Sequence, residues 1–127
     1  MSEVKERVNP VPAATILLLR PSSNSLEVFM VVRHHQIDFA SGALVFPGGK
    51  ADEQDFDKAL TPLISSPNSN YDLRGAEVSA IREAFEECGI LLAYDANTKS
   101  LITGPRLESL QHYRKALNSG QILLKDF

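Results

Sequence analysis

The sequence predicts an α/β (α+β) domain, on three observations. Short apolar and β-branched runs are broken by proline, serine and glycine; one helical stretch sets an apolar face against a carboxylate face; and a later apolar stripe recurs at helical spacing. With 127 residues, the chain is expected to form a single domain, residues 1–127, with a core of its own.

Taken in order, "AATILLLR" (13–20) and "LEVFMVVR" (26–33) read as two strands joined by "PSSNS", whose Pro, Ser and Asn favour a turn. "ALVF" (43–46) is a third strand. It stops at Pro47-Gly48-Gly49, where proline removes a ladder donor and glycine frees the backbone, so a tight loop is expected. Residues 50–75 are polar and turn-rich around "SSPNSN", longer than an ordinary connection, with a short helix expected near 56–63. A helix is expected over 76–88, with Gly89 just past its end. "GILLAY" (89–94) can form another strand. Leu107, Leu110, Tyr113 and Leu117 mark an amphipathic helix closing near Gly120, a stripe that reads as core packing. Neither an internal repeat nor a low-complexity tract is visible.

Composition narrows the function. A formal charge of −3 gives no reason to expect binding along a nucleic-acid backbone. The longest apolar runs fall far short of the roughly 20 residues of a membrane span, and the first ten residues lack the apolar stretch of a secretory signal. The only cysteine, Cys88, rules out an internal disulfide and makes the cytoplasm the default compartment. The final residues are not a peroxisomal address. Oligomeric state is not encoded in any visible pattern.

On a helical wheel over 76–88, Val78, Ile81, Phe85 and Cys88 cluster on one side. Glu83, Glu86 and Glu87 fall within roughly 100° on the other. Ser79 and Ala80 lie above them and are small enough to leave room for a ligand. The carboxylates repel one another at i+3 and i+4 by about 0.2–0.5 kcal/mol per pair. The helix C-terminus disfavours anions as well. A solvated acidic face is the commoner fate of such a pattern, but a bound divalent cation would remove both penalties. Hard carboxylate oxygens suit Mg²⁺ or Mn²⁺.

"REAFEECGI" (82–90) resembles the second half of the Nudix hydrolase box, G-x5-E-x7-R-E-U-x-E-E-x-G-U with U aliphatic, through Arg82, Glu83, Glu86, Glu87, Gly89 and Ile90. Upstream, "FPGGK" (46–50) resembles the strand end and double glycine that open the box. Arg82 lies 33 positions after Gly49 where the pattern has 14, so 19 extra residues interrupt the box within the loop at about 56–75. The first glutamate position holds Asp55, with Asp52 near it. An interrupted box of this form is similar to that of peroxisomal-type coenzyme A diphosphatases. Arg33, Gly42 and Phe46 to Gly49 also fit the spacing of coenzyme A-cleaving members, although Asp38 stands where they carry a second arginine.

The resemblance implies a mixed β-sheet sandwiched between helices. It also implies metal-dependent hydrolysis of a pyrophosphate bond in a nucleoside diphosphate linked to another moiety, with coenzyme A or acyl-coenzyme A as candidate substrates. Glu83, Glu86 and Glu87 would be the Mg²⁺ or Mn²⁺ ligands, and Glu83, Glu87 and Arg82 the catalytic set. One glutamate, with Glu83 the first candidate, would take the proton from water. Asp55 would pair with Arg82. Arg33, Gly48, Gly49 and Lys50 would face the substrate, and Glu108 is a weak candidate for a further ligand. Since the resemblance fades after Tyr94, the chain is expected to be an amino-terminal portion of a longer enzyme, incomplete at the carboxyl end of the fold. The rival expectation is a catalytically incomplete Nudix-like module that binds a nucleotide or a partner. An acidic helical interaction domain does not account for "FPGG".

Overall fold

A computed structural model describes residues 7–33, 42–65 and 67–127. His34, His35 and Asp38 lie outside the described residues. The two long apolar runs each break into two short strands. These are β1 (Ala13–Thr15) with β2 (Leu19–Pro21), and β3 (Leu26–Val28) with β4 (Val31–Val32). β5 (Leu44–Val45) follows, and then β6 (Gly48–Lys50), formed by the segment expected to be a loop. The glycines extend because they pair: Thr15 lies opposite Gly48 and Ala14 opposite Gly49 in an antiparallel ladder, lengthened by Ile16 N–H donating to the Pro47 carbonyl at 2.9 Å.

In place of one mixed sheet, the described residues form three two-stranded antiparallel ladders, β1–β6, β2–β3 and β4–β5. Leu19, Leu26, Val28, Val32 and Leu44 are therefore exposed rather than buried. The reason is coverage: among the described residues the long helix packs chiefly on β1 and β6.

That helix, α1 (Tyr71–Cys88), begins five residues earlier than expected. Asn70 starts it by accepting hydrogen bonds from the Asp72 and Leu73 amides, satisfying two of the donors that a helix start leaves free. Gly75, inside the helix, is buried against Phe56, whose ring occupies the place of a side chain. Gly89 ends it in the left-handed region at φ 70°. There the Gly89 and Ile90 amides close on the Phe85 and Ala84 carbonyls.

Between β6 and α1, the expected loop contains two 3-10 turns, Glu53–Phe56 and Lys58–Leu63. Phe56 and Tyr71 close its two ends, with ring centroids 5.6 Å apart and the Tyr71 hydroxyl donating to the Phe56 carbonyl at 3.0 Å. After α1, "GILLAY" forms only an isolated bridge, Tyr94 to Leu101. The single late helix becomes α2 (Gly104–Glu108) and α3 (Tyr113–Asn118), and a 3-10 turn follows at Leu124–Asp126.

Phe85, Leu91 and Leu117 form the buried centre, packed by Leu107, Leu110, Leu124 and Phe127. Phe127 stacks on Phe85 at 5.0 Å. Val78 and Phe85 are buried as the wheel predicts, but Ile81 is only half-buried and lines an open apolar groove. No helix among the described residues is long and apolar enough to cross a membrane.

Candidate active site

Arg82 organises the site. Its side chain is 5% exposed and that of Asp55 is fully buried. Nε donates to Asp55 Oδ1 at 2.8 Å and Nη2 to Oδ2 at 3.0 Å, the two-pronged geometry that a planar guanidinium makes with a carboxylate. Asp55 is held in turn by the Asp52 amide, which donates to Oδ2 at 2.8 Å. Nη2 also reaches the Lys50 carbonyl at 3.2 Å. The end of β6 and the first 3-10 turn, neighbours in the sequence, thus meet the distant α1 on one guanidinium.

The remaining nitrogen bridges two of the glutamates. Arg82 Nη1 donates to Glu83 Oε1 at 3.1 Å and to Glu86 Oε2 at 3.0 Å. Burial alone would depress the Arg82 pKa, but its bonds to Asp55 and the charges of Asp55, Glu86 and Glu83 reverse this and leave it above its ordinary value. Burial raises the Glu86 pKa, against the opposing pull of Arg82.

Glu87 points elsewhere. Its Oε2 accepts a long hydrogen bond from the Gly48 amide at 3.4 Å. The residue as a whole is exposed, yet partial burial around its carboxyl raises its pKa, opposed by the Gly48 amide and by the positive charge of Arg33. Arg33 thus acts electrostatically on Glu87, and its Nε has no hydrogen-bond partner among the described residues.

Gly49 faces Glu83 closely: a Cβ built there would lie 2.5 Å from Glu83 Oε1. Glu83, Glu86, Arg82, Lys50, Asp52, Glu53 and, from the far side, Leu117 and Asn118 line a polar cleft of about 330 Å³. Ser79, expected beside the ligand, is fully buried instead. Glu108 is exposed on α2 and outside the cleft lining.

Among the described residues no group of three or more His, Cys, Asp or Glu side chains is drawn together so as to hold a metal ion. Arg82 supplies the positive charge between Glu83 and Glu86, while Glu87 turns to the Gly48 amide. The donor set nevertheless suits a hard divalent cation, because Glu83 and Glu86 bring carboxylate oxygens to the cleft wall, where Gly49 lets the Glu83 carboxylate pack directly against the β6 backbone.

Sequence reasoning missed Arg114 and Gln111. Arg114 Nη2 donates to the Glu86 carbonyl at 3.0 Å and the Glu87 carbonyl at 2.9 Å, and Gln111 Nε2 to the Gly89 carbonyl at 3.0 Å. The only signal was indirect: the end of α1 has no basic residue of its own, so a cation had to come from another element.

No protein-family model matches the sequence, and no curated protein does. Among solved structures, the chain is similar to a Nudix hydrolase from Alicyclobacillus acidocaldarius, with 27% sequence identity and a TM-score of 0.72. The likeness covers 91% of this chain and 54% of that one. The chain therefore spans about half the length of the solved hydrolase and has a similar mixed α/β fold.

Proposed function

We propose that the chain is a hydrolase acting on acid anhydrides, cleaving the pyrophosphate bond of a nucleoside diphosphate derivative with Mg²⁺ or Mn²⁺ held by Glu83, Glu86 and Glu87. One observation carries this reading: the Asp55–Arg82 fork ties the box loop to α1, with Glu83 and Glu86 on the wall of a polar cleft. The likeness to a Nudix hydrolase supports the reaction class.

Hydrolysis of a diphosphate requires neutralisation of its charge and an aligned, activated water, which the divalent ion supplies when bound. The chain's own groups do the rest. Arg82 is fully engaged with carboxylates and the Lys50 carbonyl, so it orients Glu83 and Glu86 and does not reach for phosphate. Lys50 at the cleft and Arg33 near Glu87 supply positive charge for the substrate. Glu83 and Glu87 are the candidates to take the proton from water. Coenzyme A or its acyl derivatives are the substrates we favour, on the spacing of Arg33, Gly42 and Phe46 to Gly49.

The test is release of phosphorylated product from acyl-coenzyme A, NADH and nucleotide sugars with millimolar Mn²⁺. Glu87→Gln is expected to abolish turnover while leaving the circular-dichroism melt intact, and unchanged turnover in that variant overturns the assignment. The absence of a three-carboxylate cluster among the described residues favours a second reading, a module that binds the nucleotide without cleaving it. Saturable nucleotide binding with no product would establish that alternative.

A further inference from the structure

We propose that Arg114 is a positioning residue for the candidate metal site, gripping from behind the backbone of the glutamates that would hold the ion. The inference rests on the metal reading above.

An α-helix leaves its last carbonyls without partners, and they carry partial negative charge. In α1 those carbonyls include those of Glu86 and Glu87, two of the three candidate ligands. Arg114, on α3, meets them with three contacts: Nε to the Glu86 carbonyl at 3.2 Å, Nη2 to the same carbonyl at 3.0 Å, and Nη2 to the Glu87 carbonyl at 2.9 Å. Its own orientation is set by Nη1 donating to Gln111 Oε1 at 3.2 Å, while Gln111 Nε2 closes on the Gly89 carbonyl.

Glu86 is thus held at both ends, its carboxylate by Arg82 and its carbonyl by Arg114. The same helix that carries Arg114 brings Leu117 and Asn118 to the cleft. A shift of α3 against α1 would move the cleft wall and the ligand backbone together, and Arg114 ties the two. A lysine does not reproduce this grip, because a point charge lacks the planar edge whose Nε and Nη2 both meet the Glu86 carbonyl.

Positioning and simple electrostatics predict opposite signs. Arg114 is a cation near the carboxylates, so deleting its charge would by Coulomb's law tighten the binding of a second cation. If its role is to hold the backbone, deletion weakens binding. The experiment is Mn²⁺ titration of the full chain, read by loss of the free aqua-ion EPR signal well below the melting temperature. It compares wild type, Arg114→Met, Arg114→Lys and, as a stability control, Asn70→Ala, which removes the cap at the far end of α1 without touching α3 or the last α1 carbonyls.

Both Arg114 variants are expected to bind Mn²⁺ about tenfold or more weakly, as for loss of other outer-shell supports. Asn70→Ala is expected to melt lower with wild-type affinity. If Arg114→Met does not fold, Arg114→Lys decides, since it keeps the charge at the helix end. Wild-type or tighter affinity in the Arg114 variants overturns the proposal and leaves the metal reading standing. No Mn²⁺ binding by the wild type overturns that reading, and this inference with it.

Discussion

At Gly48, an added Cβ would meet the Ala14 carbonyl oxygen and lie 2.9 Å from Thr15 Cα, both backbone atoms of the paired strand. At Gly49 it would meet only the carboxylate end of Glu83, a flexible side chain. Gly48→Ala must therefore push β1 and β6 apart, and a loss of about 1–3 kcal/mol is expected in urea unfolding. Gly49→Ala lets Glu83 swing away, so stability should stay within about 1 kcal/mol of wild type. Mn²⁺ affinity should fall in that variant about tenfold. Equal stability losses in the two variants would refute the distinction. At this scale the candidate site residues Arg82, Glu83, Glu86 and Glu87, with Gly89 after them, are legible because they are close in sequence along one helix and its cap. Arg114 is not legible, because its partners are backbone carbonyls, which leave no residue-type signature, and it reaches them from another helix.

α1 shows how an element's boundary is misread. Gly75 looks like the end of a loop, since glycine weakens a helix interior by about 1 kcal/mol relative to alanine. Its place inside the helix is explained by the Phe56 ring lying where a Cβ would be, a tertiary demand that local sequence does not carry. The true start is Asn70, and Asn70→Ala is expected to destabilise the fold by about 1 kcal/mol. A thermal or urea melt unchanged from wild type would show the cap to be dispensable. The strands were legible as apolar runs, but their interruption was not, because pairing partners decide where a ladder stops. β6 likewise formed from residues that read as a loop, since two glycines extend readily once a facing strand supplies hydrogen bonds.

Across the whole molecule, the last described turn is fastened to the loop between β6 and α1. Gln54 Oε1 accepts from the Leu124 amide at 2.9 Å, and Lys125 Nζ donates to Asp57 Oδ2 at 2.8 Å. The Lys125 hydrogen bond, aided by the Ala59 amide, lowers the Asp57 pKa, and Asp57 raises that of Lys125. The Asp57 contribution to stability is therefore complete above its unfolded pKa, and is lost as pH falls through and below about pH 4. The Lys125 contribution is complete below its unfolded pKa and fades as pH rises above about 10.4. Asp57→Asn keeps an acceptor for Ala59 but removes the charge. It should lower Tm at neutral pH and flatten the acid limb of a calorimetric Tm-against-pH curve. Parallel curves for the two proteins would show that the pair is screened out. The junction of Phe56 with Tyr71 bears on the long connection between β6 and α1. Because those two aromatic residues close the segment between them at its neck, residues added after the packed turn that buries Leu60 would lengthen a loop whose ends are already joined. Doubling such a loop adds only about 0.6 kcal/mol of closure entropy. Its length can therefore drift widely while Asp55 and Arg82, outside the neck, keep their register.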